Sequence, residues 1–202
     1  MRELVLASTS QYRKLLLARL ALPFDVRAPD VDEIAKPGEG PPELAARLAS
    51  EKARTVTDPG AIVIGSDQVA SVGGQVLRKP GSHDAALRQL AACQGRMAVF
   101  DTAAFIIDNR HQRCWQTTDR TEVYFAELGR DVLDAYLRRE QPYDCAGGFK
   151  AEGLGIALFS RIRSDDPTAL LGLPMIWVAS TLREAGLDPL GTADSSPASG
   201  SR

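Results

Sequence analysis

The stretch from Ala61 to Gln68, read as AIVIGSDQ, constrains this chain most. Ala61 to Ile64 form a short, continuous, largely β-branched apolar run. Such a run predicts a strand buried on both faces, as in α/β proteins. Gly65 loosens the backbone behind it, and Ser66, Asp67 and Gln68 follow at once. A carboxylate at the end of a buried strand stands on a rigid support, beside the crevice where α/β proteins bind ligands. Asp67 is therefore a candidate catalytic base. It also suits the start of a turn, and the local string leaves both open.

The 202 residues fit one large domain or two small lobes and can bury a real core. Hydrophobic residues make up 44% and charged residues 25%, the balance of an ordinary globular protein. A net charge of −2 gives no support to a surface for nucleic-acid polymers. The three cysteines show no metal spacing, which fits free thiols in a reducing compartment. Leu4 to Ala7 is too short for a signal-peptide core and no stretch is long enough to span a membrane, so the expected location is the cytoplasm. The two histidines lie in polar, turn-like segments, which argues against a Ser-His-Asp triad or a His-rich zinc site. A hydrolase built on this chain would use a carboxylate as its base.

Leu4 to Ala7 predicts the first strand. Ser8, Thr9 and Ser10 follow, then a helix carrying Leu16, Leu17 and Leu20. A hydroxyl-rich turn at a helix N-terminus offers N–H groups to a phosphate, and Arg13 on the first helical turn could clamp the same anion. An N-cap beside a solvated arginine also fits, and on spacing alone it is the commoner arrangement. Phe24 to Ala28 alternate as a second strand, stopped by Pro29. Asp30, Asp32 and Glu33 then crowd together, either as a solvated loop or as a Mg²⁺ site. Leu44, Ala45, Leu48, Ala49, Ala53 and Val56 predict a helix, with Lys52 inside the apolar stripe. That lysine must snorkel, the commoner outcome, or pair with an anion.

Val69 to Leu77 is expected to form a hairpin partner for the Asp67 strand, turning at Gly73-Gly74. Lys79 precedes Pro80, which holds its backbone extended and presents the side chain from a rigid loop. A helix over 84–92, a long antiparallel pair at 97–107 and 114–125, and a helix over 129–140 follow. Between Tyr143 and Gly155 several glycines surround Phe149, Lys150 and Glu152, allowing close approach to a ligand. Ile156 to Ile162 predicts a strand, and Ser164 to Thr168 a turn. Pro174 is placed at N1 of the last helix, which Gly186 closes. The tail from Gly191 is expected to be disordered.

The charges that stand out are Arg13, Lys52 and Lys79 against Asp32, Glu33, Asp67 and Glu152. Cations plus carboxylates, without histidine or paired cysteine, suit metal-assisted hydrolysis of a polyphosphate. There is no Walker A string and no G-x-G-x-x-G after a strand, which weakens kinase and dehydrogenase readings.

The strings ASTSQYR, DVDE, SEKA, IGSDQV, KP, CAGGFKAEGLG and DDPTALLGLP, in that order, resemble the Maf-type nucleotide pyrophosphatases. Within that family the chain looks most like the branch that hydrolyses 7-methyl-GTP. The sister branch, acting on dTTP and UTP, carries other residues where Tyr12, Gln68 and Glu152 stand here. The resemblance implies an elongated α/β fold, a mixed sheet with flanking helices and a central cleft. It implies one two-lobed domain over residues 1–190 with a disordered tail at 191–202, and a homodimer. It implies Asp67 as proton acceptor, with Arg13, Glu33, Lys52 and Lys79 as the other active-site charges. Ser8 and Ser10 would form the phosphate turn, and Tyr12, Gln68 and Glu152 would select the base. A divalent cation (Mg²⁺, or Mn²⁺ or Co²⁺) would sit at Glu33 and Asp67. The implied products are a nucleoside monophosphate and pyrophosphate.

The chemistry of Tyr12 and Glu152 favours the 7-methyl-GTP branch. N7 methylation makes the guanine ring cationic, and the Tyr12 face would attract it by roughly 0.5–2 kcal/mol. Glu152 could accept from the guanine N1–H and amino group through charge-strengthened bonds. Some positions depart from the family pattern. Gln11 stands for a usual proline, Tyr12 for the branch's usual tryptophan, Arg78 for glycine, Gly148 for serine, and Thr168 near a usual asparagine. None removes a catalytic charge. Two alternatives remain: a pyrophosphatase acting on dTTP and UTP or broadly on modified nucleotides, and a nucleotide-binding regulator of cell division.

Overall fold

The computed structural model describes residues 2–191. The expectation for the tail at 191–202 falls outside them, apart from Gly191. The elements run β1 Leu4–Ala7, α1 Gln11–Ala18, β2 Asp25–Arg27, α2 Pro41–Arg54, β3 Ile62–Val72 and β4 Gln75–Val76. They continue as α3 His83–Cys93, β5 Met97–Asp108, β6 Arg113–Phe125, α4 Arg130–Glu140, β7 Phe159–Arg163 and α5 Met175–Glu184. One seven-stranded mixed sheet has the order β2-β1-β3-β5-β6-β7, with β4 pairing β3 off that path. β1 is parallel to β2 and β3, and the other pairings are antiparallel.

β3 is the shared wall of the core because both of its faces are covered. Val63 joins Val5, Leu48 and Ala49 under α2. Ile62 and Ile64 face the other way, onto Leu16 and Leu17 of α1 and Val178 and Leu182 of α5. Further along, Ala70 and Val72 enter a third cluster with Leu87, Leu90, Leu133 and Leu137 of α3 and α4. The continuous apolar pattern follows from that burial.

The strand is longer than the sequence suggests. The expected end before Asp67 does not occur, and β3 runs for 11 residues through Gly65, Asp67 and Gln68. Its hairpin partner shrinks to β4, paired only as Ser71↔Val76 and Val72↔Gln75 around Gly73-Gly74. The reason is β5, which pairs with β3 from Ile62↔Asp108 to Val72↔Ala98 and supplies a ladder the local string cannot announce. On the other side β1 stops at Ala7, opposite Gly65. Between Gly65 and the β4 ladder, the β3 edge is open. Asp67 and Gln68 lie in that gap, so their side chains border one crevice although they point to opposite faces.

Other boundaries shift as well. Leu154–Leu158 forms 3₁₀ turns, and β7 begins only at Phe159 rather than Ile156. Pro174 is the N-cap of α5, not its first helical residue. Among the described residues all three cysteines are free, and no helix is long and apolar enough to cross a membrane.

Candidate active site

A cleft of about 620 Å³ opens at the gap in β3. Ser10, Tyr12, Arg13, Glu33 and Lys52 line it, and so do Asp67, Gln68, Lys79 and Glu152. The structure thus brings together every residue expected there except Ser8. The Ser8 hydroxyl lies beneath the turn, only 3% exposed, where it accepts from Ser10 N at 3.1 Å and from the Arg13 guanidinium at 3.4 Å. Ser10 caps α1 by accepting from Arg13 N at 3.4 Å. The turn after β1 therefore reaches the crevice already braced.

Lys52 is the centre of the charged group. It is 6% exposed, and its Nζ donates to Asp67 Oδ1 and meets Glu33 Oε1, each at 2.6 Å. The lysine in the apolar stripe of α2 pairs with anions rather than snorkelling. Burial decides this, since its stem crosses to β3 and finds carboxylates instead of water. The hydrogen bond to Lys52 holds the Glu33 carboxyl below its usual range against the opposing cost of burial, and Lys79 and Arg13 add their charge. Of the acidic run in the second loop, Glu33 reaches the cleft, whereas Asp32 accepts from Ile34 N at 3.0 Å and shapes the turn.

Arg13 is fixed from the far side. Its Nε donates to the Gly172 carbonyl at 2.9 Å, and Ser66 Oγ donates to the same carbonyl at 2.8 Å. Burial lowers the Arg13 pKa from its very high ordinary value, and Asp67 and Glu33 oppose that shift. Gly172 has φ +103° and an added Cβ would meet Arg13 Nε at 3.3 Å, so the residue serves this approach directly.

At the other end stand Tyr12, Glu152, Asp144 and Cys145. Burial, then hydrogen bonding and charge from Glu152, push the Tyr12 phenol up to about 12. The glycine-rich loop carrying Glu152 is pinned by Phe149, which packs edge-on against Phe100, Phe125 and Phe159. It is also held by Leu154 N donating to Glu140 at 3.0 Å. Gly81 N donates to the Tyr143 carbonyl at 2.9 Å, tying the Lys79 loop to the same segment.

Gln68 is clamped. Its Nε2 donates to Thr102 Oγ1 at 2.8 Å and to the carbonyls of Ala169 and Leu170, each at 3.0 Å. Sequence reasoning missed Thr102, Asp144 and Gly172. Only Gly172 carried a signal, as a glycine between leucines just before a proline.

Among the described residues no three His, Cys, Asp or Glu groups gather into a metal cluster. Asp67 and Glu33 lie side by side on the Lys52 ammonium, each 2.6 Å from Nζ, so a cation held by both would stand beside that ammonium and not in its place. Two carboxylates completed by substrate phosphates suit Mg²⁺, which keeps its waters and rarely takes a full protein cage.

The family model described as Maf-like protein matches residues 3–185. A protein of Albidiferax ferrireducens described as 7-methyl-GTP pyrophosphatase is 50% identical, covering 94% of this chain and 96% of that protein. One from Xanthomonas axonopodis pv. citri with the same description is 53% identical, covering 92% and 98%. A solved HAM1 protein from Coxiella burnetii aligns at TM-score 0.42 with 18% identity, over 63% of this chain and 75% of that one, too slight a likeness to bear on the site. With the family model spanning nearly all of the sheet and the cleft, the chain belongs to the Maf-like protein family.

Proposed function

We infer that this protein is a hydrolase of acid anhydrides that cleaves 7-methyl-GTP to 7-methyl-GMP and pyrophosphate, removing a modified nucleotide from the pool. The observation that carries the reading is the division of one cleft into two chemically distinct ends. One end gathers Arg13, Lys52 and Lys79 around Asp67 and Glu33, as a triphosphate and an attacking water require. The other end sets an aromatic face, Tyr12, beside the carboxylate of Glu152, as a cationic guanine requires. Relatives at about half identity over nearly the whole chain are described by the same activity.

In this reading the guanidinium of Arg13 and the ammonium of Lys79 bind the phosphates. Lys52 orients Oδ1 of Asp67, and the second carboxylate oxygen takes the proton of the attacking water. The new bond joins water oxygen to the α-phosphorus, and the bond to the bridging oxygen breaks, so that pyrophosphate leaves. Asp67 and Glu33 would hold a divalent cation, Mg²⁺ or alternatively Mn²⁺ or Co²⁺, which when bound offsets phosphate charge. Homodimeric assembly belongs to the same reading through the family resemblance, and the cytoplasmic location expected from the sequence belongs to it as well.

The deciding measurement is pyrophosphate release from 7-methyl-GTP, GTP, dTTP and UTP with Mg²⁺. 7-Methyl-GTP should give the highest kcat/KM. Equal or faster turnover of dTTP or UTP would overturn the base assignment, and nucleotide binding without product at any metal concentration would favour a regulator. In the same assay Asp67→Asn should lose a factor of about 10²–10⁴ in kcat while still binding nucleotide.

A further inference from the structure

We propose that Thr102 is a positioning residue for base selection, fixing the Gln68 amide so that it offers only a hydrogen-bond acceptor, matched to the exocyclic amino group of a 2-aminopurine base. The proposal rests on the nucleotide reading above and states which atom of the base this side chain reads.

The register of the sheet sets Thr102 directly across from Gln68, on β5. Thr102 is fully buried. Its Oγ1 donates to the Ala169 carbonyl at 3.0 Å, so its proton is spent and it can only accept from Gln68 Nε2, 2.8 Å away. The Ala169 and Leu170 carbonyls are also pure acceptors, each 3.0 Å from Nε2. Three acceptors therefore face one end of the amide. The two protons of the NH₂ end are shared among them, and a flipped amide would set its oxygen against the Ala169 and Leu170 carbonyls, which cannot donate.

The orientation of the other end follows. Among the hydrogen bonds of the described residues, none reaches Gln68 Oε1. No buried side-chain oxygen or nitrogen among them lacks a partner. Oε1 is therefore accessible, and Gln68 lines the cleft. Glutamine normally offers a base both a donor and an acceptor. Here the donor is consumed, so the side chain selects for an N–H on the base edge and against a carbonyl. Guanine carries an exocyclic amino group on that edge, whereas hypoxanthine lacks it and uracil and thymine carry a carbonyl beside N3–H. Thr102 takes part in two of the four bonds that hold this arrangement.

The test compares 7-methyl-GTP with 7-methylinosine triphosphate, the same cationic base without the amino group. Wild-type protein should prefer 7-methyl-GTP by about tenfold in kcat/KM, carried by KM, the size of one lost hydrogen bond to an oriented acceptor. Thr102→Val should cut that preference at least threefold, and Thr102→Ser, which keeps the hydroxyl, should restore it. Equal kcat/KM for the two nucleotides with wild-type protein would overturn the proposal without any variant, so it survives a Thr102→Val protein that fails to fold. An unchanged preference in folded Thr102→Val would overturn the role of Thr102. If wild-type protein turns over UTP as well as 7-methyl-GTP, the substrate reading itself fails, a result the inosine comparison does not produce.

Discussion

Lys52 shows how one residue acquires its meaning from its neighbours. On α2 it occupies an apolar position, between Leu48 and Val56 in the stripe. Across the cleft wall it meets Asp67, 9% exposed, and Glu33. Replacing it with methionine keeps the stem's volume and removes the ammonium, leaving the Asp67 charge without its partner. Lys52→Met should cost about 1–3 kcal/mol at pH 7, because a nearly buried charge loses its hydrogen bond beside a solvated cleft. The sign with pH follows from Glu33. Its carboxyl is held below the ordinary range, so the pair's contribution is complete above that range and is lost as pH falls through the lowered value. Urea unfolding at pH 7 and at pH 3 should show the wild-type advantage shrinking in acid. A gap between the two proteins that stays constant with pH would contradict the pairing.

At the scale of elements, the contact of α2 with β3 sets the catalytic geometry, and Gly65 permits it. A Cβ at Gly65 would lie 2.2 Å from Ala49 O and 2.6 Å from Ala53 N, both backbone atoms of α2. The helix would have to lift, and Lys52, one residue before Ala53, would lift with it. Gly65→Ala should therefore destabilise the protein by about 1–3 kcal/mol and lower kcat more than an equally destabilising change far from the cleft. Thermal melting and turnover on the same preparations check this. The segment from Ala169 to Gly172 is the second such element. Its carbonyls hold Arg13 at one end of the cleft and Gln68 at the other, while Asp166 accepts from Thr168 N at 2.9 Å and from Ile176 N at 2.6 Å to anchor it. In the sequence this segment stands out only as part of the string DDPTALLGLP, between the turn at 164–168 and the last helix, and nothing in it announces which side chains its carbonyls hold.

The whole molecule gathers its cleft from the turn after β1, α2, the middle of β3, the Lys79 loop and the glycine-rich segment. These are carried by a core that continues on both sides of the gap. The three clusters of that core are built from hydrophobic side chains and include none of the cleft carboxylates. Chelation should therefore abolish pyrophosphate release while leaving circular dichroism and the melting temperature nearly unchanged, and added Mg²⁺ should restore activity. A large fall in melting temperature on chelation would instead make the metal structural.

Much of this was readable in the chain because the relevant signals are local. The both-faced burial of AIVIG, the stripe of α2, the long antiparallel pair and the Ser10 cap depend on periodicity and short-range sterics, which a sequence carries in full. The charges Arg13, Glu33, Lys52, Asp67 and Lys79 could be picked out by type and by their place beside strands, glycines and prolines. What only the tertiary structure decided is which of these side chains meet and which way each is turned. β3 passes through Asp67 because β5, far along the chain, offers a ladder. Lys52 pairs rather than snorkels because its own side chain is buried where Asp67 and Glu33 converge on it at the cleft wall. Gln68 turns its donor inward because Thr102 and the carbonyls of Ala169 and Leu170 arrive from distant segments. Desolvation and hydrogen-bond direction belong to the neighbours that folding assembles, so the chemistry of the cleft is set by contacts that no local stretch contains.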